Sequence, residues 1–430
     1  MKRISYIVLL FTLGFLFSCV KETNDIILDN DATPDPGTQL SYIVPLDDAV
    51  AELEQVLNAR SSDGAATRAI ATDRVIGNIE IVGQSSNSSM TRSANMDSLL
   101  YIVNFEDSKG YAILGADKRA DGVIAIVDKG NITADEFLFS QNTTADNGSQ
   151  YLYNTILEYV SYQISTYKEE PVTRAANQQW WGSWIFTEGT LKFLTTEWHQ
   201  REPYNYYCPE INGQKCLAGC VAIAVAQILA YNKKVHNIGK DGLSGYTFDW
   251  NGILADMENP GTNPLAVATL IRAVGASAQI NYGLDESSTT ASKACTPFLL
   301  GGYAIAVPAP YNFPQIKSKV RDNGLPVFVG AQGVYPNGTF FGGHAWVIDG
   351  YEKQLRYLFE GLGPAYIDNK IIGNETRELI HCNYGWRNGD CNGWYVSNIF
   401  NFEASTAKPD HPGSTSALAS WNDPQIIMYL

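Results

Sequence analysis

The chain has 430 residues, of which 45% are hydrophobic and 17% charged, and its net charge is −15. This length allows two or three domains, and the composition is that of a globular protein with ample apolar material for a core. The acidic balance excludes a protein built to grip nucleic acid, whose backbone calls for clustered Lys and Arg.

Met1-Lys2-Arg3 is a short basic start, and Ile4 to Phe17 is nearly all apolar. The run is short for a membrane span of about 20 residues and suits a secretory signal. Leu16-Phe17-Ser18-Cys19 closes it and resembles the bacterial lipobox. Residues 1–18 are therefore read as a lipoprotein signal peptide and Cys19 as the lipidated residue. The expected location is the bacterial cell envelope, with a lipid on Cys19 as the link to the membrane.

Residues 19–40 are polar, with Pro34, Pro36 and Gly37, and read as a tether. Leu46, Val50, Leu53 and Leu57 then recur at helical spacing. Two strand-like runs, 99–105 and 111–114, flank the turn signal Asp107-Ser108-Lys109-Gly110, and 123–127 is a third. Residues 151–167 have the pattern of an amphipathic helix. Residues 41–174 thus make one α+β unit. It ends in a charged, Pro-containing stretch where the Arg174-Ala175 bond is a predicted cleavage site.

Residues 175–430 hold the candidate chemistry. Gly219-Cys220 precedes the Ala-rich apolar run 221–229, which predicts a buried helix with Cys220 at its N-terminus. A thiol there meets free backbone N–H groups and the positive end of the helix dipole, which favour thiolate. Taken alone, the residue is equally readable as a buried structural Cys. Gly342-Gly343-His344 opens a strand-like run, a setting that suits a general base with room for a substrate backbone. Of the other four His, His199 and His381 lie in aromatic surroundings and are weaker rivals. Asn383 is placed to accept the imidazole N–H, and Trp386 to shield that bond from water. Gln214, six residues before Cys220, is a candidate oxyanion donor. The order Gln, Cys, His, Asn is that of papain-type enzymes.

There are seven Cys in all. Setting aside Cys19 and a nucleophile leaves an odd number, so the pairing stays open. Cys208 with Cys216 and Cys382 with Cys391 are the pairs closest in sequence. No Cys/His grouping has zinc spacing, so neither metal nor other cofactor is expected.

Together, Gly219-Cys220-Val221-Ala222, Leu270-Ile271-Arg272-Ala273-Val274-Gly275, Asn281-Tyr282-Gly283, the stretch Gly342 to Gly350 and Asn383-Tyr384-Gly385-Trp386 resemble the streptopain family of bacterial cysteine peptidases, a papain-like group. The resemblance spans about 190–430 and less specifically 99–127, which look like that family's inhibitory prodomain. It implies an α+β fold in which the helix carrying the nucleophile packs on a twisted antiparallel sheet. It also implies an endopeptidase made as a zymogen, with protein or peptide substrates and its own prodomain as partners. The cut is open to the enzyme itself or to a trypsin-like activating protease, and Arg before it favours the second. By the same carry-over Gly343, and less clearly Ser288, would bind substrate. Tyr384 stands where the family usually has Trp, and the His344–Asn383 spacing is long, so that about 352–376 are expected to form a hairpin or flap beside the cleft. Two other readings fit parts of the sequence: a catalytically silent binding lipoprotein, and a papain-like acyl transferase.

Overall fold

A computed structural model describes residues 42–61, 74–83, 99–139, 148–168, 178–304, 306–334, 340–364, 369–400 and 420–429. The expected signal peptide, the expected lipidation site Cys19, the expected tether and the expected cleavage site Arg174-Ala175 lie outside them. The described residues form one compact unit.

Helix α1 (Leu46–Ser61) buries Ala49, Leu53, Val56 and Leu57, close to the predicted stripe. It lies on a meander of β1 (Ile76–Val82), β2 (Leu100–Phe105), β3 (Tyr111–Gly115) and β4 (Val123–Val127). Strands β2, β3 and β4 are buried throughout, which explains why they read as continuous apolar runs and not as alternation. Short α2 (Ala134–Phe139) and long α3 (Ser149–Thr166) complete this N-terminal region.

The rest of the sheet is formed by β5 (Gln178–Trp181), β6 (Ile185–Gly189), β7 (Ala306–Pro310), β8 (Val327–Val334), β9 (Phe340–Gly361), β10 (Lys370–Asn383), β11 (Gly393–Val396) and β12 (Ser420–Tyr429). Its order is β1-β2-β3-β4-β11-β10-β9-β8-β12-β7, with β5 and β6 pairing on β9, and every pairing is antiparallel. The N-terminal meander therefore continues the C-terminal sheet. The seam is β4 on β11, with Val127 opposite Gly393, Ile126 opposite Trp394 and Ala125 opposite Tyr395. A β-carbon at position 393 would lie 2.6 Å from the Ile126 carbonyl oxygen, so the seam closes only on glycine.

Helix α4 (Cys220–His236) packs against β8 and β9. Strand β9 divides two cores by its alternation. Ala345 and Val347 join the cluster around α4, whereas Trp346 and Ile348 join the cluster shared with the N-terminal region. Helices α5 (Trp250–Glu258) and α6 (Pro264–Ser277) complete the α4 side.

Candidate active site

Cys220 is the first residue of α4, as its sequence predicts. Gly219 caps the helix at φ 90°, and a β-carbon there would lie 3.0 Å from Ile280 Cδ1 and 3.3 Å from the Ser287 carbonyl oxygen. Only glycine combines that backbone with that space. The entering segment is tethered on both sides. Ala218 N–H donates to the Gln200 carbonyl at 2.9 Å, and Ser287 Oγ donates to the Leu217 carbonyl at 2.7 Å.

The thiol is half-buried. Burial pushes it up to about 11, against the pull of the backbone N–H groups of Ala345, Val221 and Cys220 itself. The helix terminus thus acts in the expected direction, but desolvation outweighs it, and the expected thiolate is not the form held here. Ala345 directly follows His344, so the nucleophile meets the strand that carries the candidate base.

His344 is buried, and burial lowers it to about 4, opposed by the Tyr384 carbonyl. Its Nε2–H donates to that carbonyl at 2.8 Å. This corrects the expectation for Asn383. Asn383 lies opposite Val347 in the β9–β10 register, but its Nδ2 donates to the Thr196 carbonyl at 3.2 Å and its Oδ1 accepts Gly385 N–H at 3.0 Å. The amide braces the turn, and the turn's backbone orients the ring. Asn392 holds that backbone from behind, with Tyr384 N–H donating to its Oδ1 at 2.8 Å. Trp386 is fully buried, lies 4.9 Å from the His344 ring and stacks on Tyr384 at 4.7 Å. It packs against the imidazole, although the Asn383 bond it was expected to shield is not made.

Gln214 is exposed on a two-residue ribbon, opposite Ile211. Gln200 was missed from the sequence. It is 1% exposed and bonded through its carbonyl to Ala218, two residues before the nucleophile. Ser288 is exposed and bridges Asn281 through both backbone groups, on the loop that meets Gly219. Gly343 is exposed at the head of the His344 strand.

His381, set aside above as a rival base, belongs to a buried charge network. Its Nδ1 is 2.6 Å from Asp349 Oδ1 and its Nε2 is 3.2 Å from Asp128 Oδ2, so both ring nitrogens donate. Burial lowers its pKa, but Asp349 and Asp128 outweigh burial and leave it raised. Asp128 is also paired with Lys192. Asp128, Lys192 and His381 line a cavity of about 210 Å³ at the seam.

The six described Cys are all free, so neither sequence-close pair is bridged. Among the described residues no group of three or more His, Cys, Asp or Glu is gathered as a metal site.

Residues 198–395 match the model of the Peptidase C10 family. Streptopain from a serotype M28 strain of Streptococcus pyogenes is 24% identical over 335 residues, covering 67% of this chain and 71% of its own. Another Streptococcus pyogenes streptopain is 24% identical over 234 residues, or 45% of this chain and 53% of its own. A fragment of Prevotella intermedia prointerpain A aligns with a TM-score of 0.48 at 20% identity, over 79% of this chain and 96% of the fragment.

Proposed function

Residues 198–395 belong to the Peptidase C10 family, the streptopain family of cysteine peptidases, and on that premise we propose that the chain is an exported endopeptidase zymogen with Cys220 as nucleophile and His344 as base. The observation that carries this reading is the meeting of Cys220 with the backbone of Ala345, which brings the head of α4 to the His344 strand. In the working form His344 takes the thiol proton and Cys220 sulfur attacks the scissile carbonyl. The C–N bond breaks, the amine leaves with the proton from His344, and water then hydrolyses the thioester. The Tyr384 carbonyl keeps the ring oriented, and Trp386 keeps water from that bond. Gln200, not the exposed Gln214, is the better-placed carboxamide for the oxyanion.

Latency is supported by the electrostatics of the covered site. The Cys220 thiol, pushed up to about 11, and the His344 imidazole, lowered to about 4, are both neutral near pH 7. The N-terminal region contributes to that cover, since a β-carbon on Gly148, just before α3, would lie 3.4 Å from Trp386 Cζ2. The signal-like start with Cys19 supports export and lipid anchoring, and Arg174 before a small residue in a charged, Pro-containing stretch supports cleavage by a trypsin-like protease.

The test is hydrolysis of an unstructured protein by residues 20–430, before and after cleavage at Arg174. Activity is expected only after cleavage, and neither Cys220→Ala nor His344→Ala should show any. Undiminished hydrolysis by folded Cys220→Ala would sink the assignment.

A further inference from the structure

Strand β9 carries His344 near its start and runs on into a long hairpin with β10. Its outer part, 352–361 with 370–378, pairs with β5 and β6 and carries α1 on one face. Glu352, Gln354 and Arg356 alternate along β9 and so share that face, and Arg377 lies opposite Gln354 in the register. Glu52, Val56 and Arg60 recur every four residues on α1, one row of the helix.

The two rows meet rung by rung in antiparallel sense. Arg60 Nε is 3.0 Å from Glu352 Oε2. Gln354 Nε2 donates to the Val56 carbonyl at 3.2 Å and to Glu352 at 2.6 Å. Arg377 pairs with Glu52, Arg356 Nη1 is 4.0 Å from it, and Trp184 Nε1–H donates to it at 3.3 Å. Spacing explains the fit. Four helix residues rise about 6 Å and two strand residues about 6.8 Å, so three rungs stay in step. The charges cross, minus on plus at one end and plus on minus at the other. The Arg60 and Glu352 side chains are only 10% and 5% exposed, so a mismatched helix would bury an uncompensated charge.

We propose that this hairpin is an exosite that recognises the N-terminal region through the charge register of α1, and holds that region on the peptidase after the connecting chain is cut. The inference rests on the zymogen reading for its purpose but not for its test. The partner it fits is a helix bearing a carboxylate and a guanidinium eight residues apart, with the backbone carbonyl midway between them accepting from Gln354. An N-terminal region with the opposite order is rejected.

The test uses the full chain as Cys220→Ala, with a site-specific protease sequence inserted after Arg174. After cutting, retention of the N-terminal fragment is followed by size exclusion on serial dilution. Glu52→Lys and Glu352→Arg should each weaken retention at least about thirtyfold, the scale of breaking a buried charge pair. Glu52→Gln, a milder change should the reversals misfold, should weaken it less. Arg60→Glu joined to Glu352→Arg should restore most of the loss, which general destabilisation would not do. Retention that is unchanged in all single variants overturns the exosite, as does a double variant no better than the worse single. If retention follows the ladder but the cut Cys220-intact chain is active with the fragment bound, the exosite stands and the zymogen reading fails.

Discussion

At the residue scale, the proposed nucleophile Cys220 is placed by neighbours that do no chemistry. Gly219 holds φ 90° under Ile280, and Gly219→Ala adds both backbone strain and a 3.0 Å contact. That substitution is expected to cost about 1–3 kcal/mol in urea unfolding and to lower hydrolysis by displacing the sulfur. A second expectation separates the two glutamines. Gln200→Ala should reduce kcat by about 10²–10³, the cost of losing an oxyanion donor, with KM little changed. Gln214→Ala, altering an exposed ribbon, should leave kcat within about twofold, since surface changes of this kind are small. The reverse ranking would return the role to Gln214. Asn383→Ala removes a buried brace of the Tyr384 turn. It should cost about 1–3 kcal/mol of stability and weaken hydrolysis without abolishing it, because the imidazole bond goes to a backbone carbonyl.

At the scale of elements, the β4–β11 seam has a pH signature. His381 stands between Asp349 and Asp128, with Lys192 also on Asp128. Its pKa is raised in the folded chain. Its contribution is therefore complete below the unfolded value of about 6.5 and is lost as pH rises through the folded value. His344 runs the other way. Lowered to about 4, it destabilises the fold as pH falls from about 6.5 toward 4, where the unfolded ring binds the proton first. Urea midpoints of the Cys220→Ala chain across pH should thus fall on both sides. His381→Gln should flatten the alkaline side and His344→Gln the acid side. An alkaline limb unaffected by His381→Gln would remove His381 from the seam's electrostatics.

Over the whole molecule, what the sequence reveals depends on the range of the interaction. Helices α1, α3 and α4 and strands β2 to β4 are legible because their apolar periodicity is local. The hairpin at 352–376 is legible as an excess of chain, but its place is not. Glu352, Gln354 and Arg356 alternate like any solvated strand face, and only their meeting with residues 52–60 gives them meaning. The β4–β11 seam joins positions some 270 residues apart, and no local pattern encodes such a pairing. A backbone acceptor such as the Tyr384 carbonyl has no residue signature, so Asn383 drew the reading. Gln214 drew it in the same way, by spacing to Cys220, while Gln200 reaches that region through the fold. The helix-terminus expectation for Cys220 was sound in sign and was outweighed by burial that only tertiary structure supplies.

The central proposal is that Cys220 is a peptidase nucleophile kept neutral while the N-terminal region is attached. The most direct measurement is the rate at which an epoxide warhead labels Cys220, located by peptide mapping, in the intact chain and again after cleavage at Arg174 and removal of the fragment. The account predicts slow labelling of the intact chain, labelling of Cys220 alone at least about a hundredfold faster once a thiolate is available, and loss of that gain in His344→Ala. Equal rates before and after removal, or label at another Cys, would contradict it.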